Sequence, residues 1–312
     1  MISELRLATF GVADLERTKR FYADAFLYDV KGDGVVDATD PMALRGWALP
    51  AGVTARFAVM GPPGIDTGLI RLVQFSQAGE QIWRDYSRPG DFGLFAANIR
   101  VSRIGEGWAR LQAAGARARS QPHTWGENPA VTVHDAMTFD VDDTLLDVFE
   151  LELHGASIHK LQSAPASELQ NIVIHTEDAD RCLAFYAGLG FDVISDRTLK
   201  GLADFLKLPP GTDLRNANLA KPGLSSNGRI EVSQYVGCPG VRLQDRAVPP
   251  RRGILSMGFE TDDLQATHRL LGRLGAEWVA GPFTETVPPF GRLRTQVCFG
   301  PDGERLIFFQ RL

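Results

Sequence analysis

Hydrophobic and polar residues alternate over several short stretches of the chain, and Gly or Pro interrupts most of these stretches. Residues 5–12 alternate in this way, as do residues 56–60 and 69–75, which is typical of β-strands with one buried face. Asp14 stands where the N-cap of a helix is expected. The apolar residues after it form one helical stripe: Leu15, Phe21, Tyr22 and Phe26. The pattern therefore predicts a strand, a helix and further strands.

The same order of elements recurs later in the chain. Asp14 and the pair Phe21-Tyr22 are echoed 164 residues later (178 − 14 = 164), where residues 178 and 185–186 are again Asp and Phe-Tyr. Pro63-Gly64 and the strand pattern after it recur at Pro222-Gly223. A second pair of similar segments links residues 99–122 with residues 259–282. These repeats predict two similar halves.

Within each half the order of elements occurs twice, which predicts four βαβββ modules and an α+β fold. One helix shields only one face of a sheet, so modules must pair and curl their mixed sheets into cups, where inward side chains converge. We expect modules one and two to share one cup, and modules three and four the other. The predicted domains are 1–155, with modules at about 1–80 and 90–153, and 168–312, with modules at about 168–238 and 252–312, joined by a linker at 156–167.

This pattern resembles the vicinal oxygen chelate superfamily, which includes glyoxalase I, extradiol dioxygenases, fosfomycin-resistance enzymes and bleomycin-binding proteins. The motifs that carry the resemblance are Asp14-Leu15-Glu16-Arg17 with Phe21-Tyr22, Phe185-Tyr186 with Leu189-Gly190-Phe191, Asp262-Asp263-Leu264 with Leu274-Gly275-Ala276, and Phe299-Gly300-Pro301-Asp302-Gly303. The resemblance implies two glyoxalase-like domains. It leaves the reaction open, because one fold hosts many chemistries.

The resemblance also implies two positions for a metal ligand in each module. A His or Gln usually stands on the first strand, seven residues before the helix-opening Asp, and a Glu stands on the last strand. In this chain the four pairs of positions hold Leu7 and Arg71, Ala96 and Asp147, Asn171 and Glu231, and Ser256 and Ile307. Arginine cannot ligate a metal, and neither half offers more than one acidic group. We therefore predict no catalytic metal in the family position and no cofactor.

Other side chains on these strands are candidates for acid–base chemistry. Period two places Asn171 and His175 on one strand face, and Glu231 and Tyr235 on one face of another strand. His or a partly desolvated Glu can act as a base near neutral pH, and Tyr as an acid or oxyanion donor. We predict catalytic roles for His175, Glu231 and Tyr235, and substrate binding by Asn171 and Ser256. The alternative is that these residues are packed and hydrogen-bonded without a catalytic role.

Three further residues are predicted to bind substrate. Arg71 and Asp147 fall at the last-strand positions of one predicted cup, where they either form a buried ion pair or leave Arg71 to anchor a substrate carboxylate. Trp125 lies in a segment, residues 123–129, that contains Gly, Pro and polar residues. We interpret this segment as a loop that borders the site, with or without substrate contact.

Composition narrows the class of partner. The 312 residues include 33 Lys and Arg against 38 Asp and Glu, for a net charge of −5, and no basic run stands out, so nucleic acid is disfavoured. Residues 1–7 carry charges, and no run of eighteen apolar residues occurs, so a membrane partner is disfavoured. Three widely spaced cysteines favour a reduced compartment. We expect a cytoplasmic monomer or homodimer that binds a small organic molecule.

These observations predict a metal-independent enzyme of the lyase, hydratase or isomerase type, acting on a small apolar or aromatic compound. One alternative is a non-catalytic drug-binding or resistance protein that resembles the bleomycin-binding proteins, for which the acidic net charge would favour a cationic drug. A second alternative is a metal-dependent glyoxalase or extradiol dioxygenase with its ligands at other positions.

Overall fold

The computed structural model describes residues 1–83, 90–128, 130–157, 165–223 and 227–312. Most of the predicted linker, at residues 158–164, lies outside this description, as does Pro129 of the predicted site-bordering loop. None of the helices in the described part of the chain has the length and hydrophobicity needed to span a bilayer.

All four predicted modules are present, each with a strand, a helix and further strands. Module one contains β1 Ile2–Val12, α1 Leu15–Phe26, β2 Asp29–Val36, a π-helical turn Met42–Gly46, β3 Ala55–Gly61 and β4 Leu69–Phe75. Module two contains β5 Gly93–Val101, α2 Ile104–Ala113, β6 Arg117–Ala118, β7 His123–Asn128, β8 Val131–Phe139, β9 Leu145–Leu153 and β10 Ala156–Ser157. Module three contains β11 Ala166–His175, α3 Ala179–Gly188, β12 Asp192–Leu199, α4 Ala203–Leu206, β13 Asp213–Ala220 and β14 Arg229–Val236. Module four contains β15 Gly253–Thr261, α5 Leu264–Arg273, β16 Glu277–Val287, β17 Gly291–Phe299 and β18 Arg305–Arg311.

The helices begin where the sequence supplies an acceptor for a free backbone N–H. Asp14 accepts the N–H of Arg17 at 3.1 Å, and Asp178 and Asp263 cap α3 and α5 in the same way. Helix α2 differs, because its N-cap is Arg103, which makes no side-chain cap. There, Glu150 of β9 accepts the N–H of Ile104 at 2.9 Å, so a neighbouring strand supplies the missing acceptor.

Each of the two mixed sheets combines one module from each half of the chain. The first sheet has the order β16-β17-β18-β15-β1-β4-β3-β2, so it contains modules four and one. The second has the order β12-β13-β14-β11-β5-β9-β8-β6 and contains modules three and two, with β7 and β10 paired to β8 and β9. The modules meet through antiparallel pairing of β1 with β15 and of β5 with β11.

We call the concave side of the first sheet the outer-pair cup and that of the second sheet the inner-pair cup. The expectation that modules one and two share a cup is wrong, and so is its counterpart for modules three and four. Local patterning does not distinguish these pairings, because all four modules present a similar first strand to a partner. The domain boundaries at 1–155 and 168–312 remain a prediction, and both sheets extend across them.

Consecutive modules are joined on the opposite side, where the helices pack. The hydroxyl of Tyr22 on α1 donates to Asp140 of module two at 3.1 Å, and that of Tyr186 on α3 donates to Glu304 of module four at 2.6 Å. Burial raises the pKa of Asp140 to about 7 and that of Glu304 to about 7, and a second carboxylate beside each adds to the shift. The Phe-Tyr pairs that reveal the repeat thus connect module one to module two and module three to module four.

Candidate functional site

Large side chains fill the interior of the outer-pair cup. Six buried aromatic residues from both modules share one apolar cluster there: Trp47, Phe57, Phe75, Phe283, Phe290 and Phe309. A pocket of about 270 Å³ remains between the π-helical turn and β16, beside Asp40 and Glu285. This cup therefore combines an aromatic core with a pocket at its edge.

Arg71 lies inside the outer-pair cup and is 1% exposed. Its Nη1 is 3.4 Å from Oε2 of Glu285, its Nε and Nη2 donate to Thr9 at 3.3 and 3.2 Å, and the guanidinium carbon lies 5.3 Å from the centre of the Trp47 ring. Burial lowers the pKa of Arg71, and the charge of Glu285 opposes this shift. The expectation that Arg71 meets Asp147 is wrong, because Asp147 belongs to the other sheet; the buried ion pair forms with Glu285.

Ser256 also lies in the sheet of the outer-pair cup. It is opposite Thr9 on the neighbouring strand and is 1% exposed. Its hydroxyl has no hydrogen-bond partner among the described residues. The expectation that Ser256 shares a cup with Asn171 and Glu231 is therefore wrong.

The inner-pair cup contains a partly open cavity of about 220 Å³. Five aromatic side chains lie on its wall: Phe95, Trp125, Phe149, Phe205 and Tyr235. The short helix α4 closes over the cavity and is held to module two, because Arg119 donates to the carbonyl of Leu206 at 3.0 Å and the ring of His123 stacks on Phe205 at 5.4 Å. An engineered apolar cavity of about 150 Å³ admits benzene, so this cavity has room for a single-ring compound.

Trp125 lies on a strand rather than on the predicted loop. Residues 123–128 form β7, which pairs with β8. The indole N–H of Trp125 donates to Oδ2 of Asp135 at 2.8 Å. The prediction that Trp125 borders a site agrees with its position on the cavity wall, while its role in binding remains a prediction.

Three carboxylates from three strands line the cavity: Asp135 of β8, Asp147 of β9 and Glu231 of β14. Burial raises the pKa of Asp135 to about 7, and the charge of Glu231 adds to the shift. Burial, followed by the charges of Asp135 and Glu231, raises the pKa of Asp147 well above its usual range. The three groups therefore hold one or more protons near neutral pH.

Amide side chains hold Glu231 in one position. Asn98 and Asn171 both donate to its Oε2 at 3.0 Å, and Asn216 donates to its Oε1 at 2.7 Å. Burial raises the pKa of Glu231, and the hydrogen bonds from Asn216 and Asn171 oppose that shift. Glu231 is thus the best-hydrogen-bonded carboxylate of the three.

Several acceptor oxygens on the same wall have no donor. Oδ1 of Asn98, Asn171, Asp135 and Asp147 is buried in each case, and none of these atoms has a hydrogen-bond partner in the part of the chain that the structure describes. Buried polar atoms are normally hydrogen-bonded. Nε of Arg229 on the same wall also lacks a partner among the described residues, so the cavity offers several acceptors and one donor to a bound molecule.

His175 does not line this cavity. Its ring is 1% exposed and lies 4.3 Å from the ring of Tyr235, and its Nδ1 is 2.6 Å from the carbonyl oxygen of Asp91. Burial lowers the pKa of His175 to about 4, so the imidazole is neutral at pH 7. Tyr235 does lie on the cavity wall, and burial raises the pKa of its phenol.

Sequence reasoning missed Asn98, Asp135 and Asn216. Asn98 is opposite Asn171 in the β5–β11 pair, whereas the family spacing selected Ala96, which is opposite Val173. The turn between β5 and α2 is shorter than that between β11 and α3, so counting back from the helix does not find the same strand position. Asp135 lies on β8, which is neither the first nor the last strand of its module and so holds none of the family's ligand positions. Only knowledge that modules two and three pair would have identified it.

Neither cup presents a grouped set of metal-binding side chains among the described residues. In the outer-pair cup a last-strand position holds the Arg71 guanidinium, a cation already paired with Glu285. In the inner-pair cup the amides of Asn98 and Asn171 present their N–H groups to Glu231. Across the described ranges, no three His, Cys, Asp or Glu side chains are grouped so that they would bind a metal ion.

A scan against protein-family profiles found no match to this sequence, and a search of curated protein sequences found none either. Solved structures are similar to it. Glyoxalase I from Zea mays aligns with a TM-score of 0.64 and 13% identity over 99% of this chain and 92% of that chain. A putative dioxygenase from Bacillus subtilis aligns with a TM-score of 0.63 and 10% identity over 99% of this chain and 86% of its own.

At these identities the likeness concerns the fold. It covers the whole order of modules, which agrees with the repeats in the sequence and with the curled mixed sheets. The chain therefore shares its fold with glyoxalase I and with this putative dioxygenase.

Proposed function

We propose that this chain is an enzyme that moves a proton on a small organic compound bound in the inner-pair cup. The observation that carries the proposal is the placement of Asp135, Asp147 and Glu231 around one aromatic cavity with raised pKa values. Perturbed carboxylates in an enclosed cleft are typical of acid–base sites. The reaction class we propose is isomerisation, hydration or elimination, which requires no oxidant or reductant.

Asp147 is the proposed proton acceptor. It is partly exposed and lines the cavity, and its Oδ1 has no partner in the described structure. Because its pKa is raised, it holds a proton more tightly than an ordinary aspartate and is a stronger base when deprotonated. It would take a proton from a carbon or from water, and return it to another atom of the same substrate or to its leaving group.

Glu231 and Tyr235 support this step in different ways. Glu231 already accepts three amide N–H groups, so we assign it as a positioning residue whose negative charge raises the pKa of Asp147. The phenol of Tyr235 stays protonated because burial raises its pKa. It is the proposed donor to an oxygen on which negative charge develops.

Replacing one oxygen of Asp147 by nitrogen tests the proposal. Wild type and Asp147→Asn are incubated in D2O with a panel of single-ring carbonyl compounds and aryl-alkylamines, and conversion or deuterium incorporation is followed by NMR. We expect wild type to convert at least one compound and the variant to lose about 100-fold or more of the rate, the usual contribution of a general base. Asp143→Asn, at an exposed carboxylate paired with Arg117, is the matched control and retains the rate. A rate in Asp147→Asn within about threefold of wild type contradicts the assignment.

Binding without turnover is the second candidate function. It is supported by the position of His175 away from the cavity and by the hydrogen bonds that occupy both oxygens of Glu231. In that case one equivalent of ligand would bind and be recovered unchanged.

A further inference from the structure

The chemistry of the cavity wall points to a ligand of a particular class. We infer that the inner-pair cup takes a protonated amine carried on a ring or a short apolar body. The inference takes the cavity as the ligand site and so rests on the proposed function for its location, while the charge of the ligand is argued from the wall itself.

Acidic residues outnumber basic residues on the wall. Asp135, Asp147 and Glu231 all line the cavity, and Arg229 is the one basic residue among its described lining residues. An anionic ligand would bring a further acidic group to carboxylates that already hold protons because they are buried and repel one another. A cation would instead favour their ionised forms.

The orientation of the amides adds hydrogen-bond acceptors to this surplus. Asn98 and Asn171 both direct Nδ2 towards the same oxygen of Glu231, and turning either amide over would place its oxygen against a carboxylate. Their Oδ1 atoms therefore remain acceptors, and Asn98 is 4% and Asn171 2% exposed. A ligand that only accepts hydrogen bonds would leave these buried oxygens unsatisfied.

An ammonium group matches both features. It carries one positive charge and three N–H donors in a compact group. The aromatic wall favours it further, because aromatic rings attract a cation and Trp125 and Tyr235 line the cavity. The volume of about 220 Å³ suits one ring with a short aminoalkyl arm.

The test compares ligands of the same shape and different charge. Benzylamine, benzyl alcohol and benzoate are titrated into the protein at pH 7.5 by isothermal titration calorimetry. We expect benzylamine to bind about 10-fold or more tightly than benzyl alcohol, which corresponds to one additional favourable charge interaction, and benzoate not to bind measurably. Comparable binding of amine and alcohol overturns the inference.

Charge removal at the wall provides the second comparison. In Asp147→Asn, benzylamine affinity is expected to fall about 10-fold while benzyl alcohol affinity stays the same; Asp143→Asn leaves both unchanged. If Asp147→Asn does not fold, the wild-type titration in buffers of different ionisation enthalpy replaces it. Amine binding should then release protons, because a nearby cation lowers the raised pKa values of Asp147 and Asp135. An amine affinity insensitive to Asp147→Asn, or binding without proton release, overturns the inference.

The outcomes separate this inference from the proposed enzyme. Selective amine binding without conversion of any compound in the panel supports the inference and counts against the enzyme. Conversion of uncharged compounds with no preference for amines supports the enzyme and overturns the inference.

Discussion

The ion pair inside the outer-pair cup makes a prediction about stability. Arg71 is 1% exposed and its partner Glu285 has a side chain that is 10% exposed. Replacing Arg71 by Met keeps the length of the side chain and removes the charge. Glu285 would then remain buried with Thr295 as its donor, at 2.9 Å.

The size of the effect follows from these contacts. Removing one partner of a buried pair costs about 3–5 kcal/mol, mostly from the charge that is left behind. The N–O distance of 3.4 Å is long for a hydrogen bond, and Thr295 still donates a hydrogen bond to Glu285 in the variant. We therefore expect Arg71→Met to lower the free energy of unfolding by about 3 kcal/mol. The double variant Arg71→Met with Glu285→Leu leaves no buried charge, and we expect it to return to within about 1 kcal/mol of wild type.

Urea unfolding of wild type, Arg71→Met, Glu285→Leu and the double variant measures the loss in the single variant and the recovery in the double variant. The expected coupling between Arg71 and Glu285 is about 2–4 kcal/mol. The exposed pair of Lys19 and Glu16 is the control, for which a coupling below about 0.5 kcal/mol is expected. A loss below about 1 kcal/mol in Arg71→Met, or a coupling as small as that of the control, would refute the reasoning and reopen a ligand-binding role for Arg71.

Two further predictions concern the tyrosine–carboxylate contacts between consecutive modules. Tyr186→Phe removes a 2.6 Å hydrogen bond to Glu304 and is expected to cost about 1–2 kcal/mol in urea unfolding, more than Tyr22→Phe, whose bond is 3.1 Å; the reverse order would contradict the geometry. Because burial raises the pKa of Glu304 from about 4.5 to about 7, the folded state holds an additional proton between these values. Stability should therefore fall as pH rises from about 4 to 7 and level off above, by up to about 3 kcal/mol from this group. The fall should be smaller in Glu304→Gln, and an unchanged pH profile in that variant would count against the raised pKa.

Much of the fold is predictable from local sequence. Asp14, Asp178 and Asp263 cap their helices as expected, since an N-cap depends only on residues within one turn. The Phe-Tyr repeat identified the modules because both copies make the same contact with the next module. The pairing of modules is different in kind, because it depends on which of several similar strand edges meet.

Only part of the candidate site could be predicted, because local patterning identifies residues within a module but not the pairing of modules. Asn171, Glu231 and Tyr235 come from one module, and period two placed them on strand faces that line one cavity. Asn98 and Asp135 come from module two, so they enter the site only through the pairing of modules that local patterning does not determine. His175 follows the same alternation but packs against the ring of Tyr235 and does not line the cavity. Alternation predicts the face of a strand on which a residue lies, not whether the residue reaches the cavity.

Each sheet contains one module from each half of the chain, so the two halves depend on each other for strand pairing. A cut within residues 158–164 would yield two pieces, each holding two unpaired half-sheets with open edges at β1 and β5, or at β11 and β15. Each piece would find matching edges only in the other piece or in a second copy of itself, as in a symmetric dimer. Carrying both pieces on one polypeptide removes the requirement that they be identical, which allows the two concavities to differ in chemistry: a buried arginine–glutamate pair in one and three carboxylates around a cavity in the other.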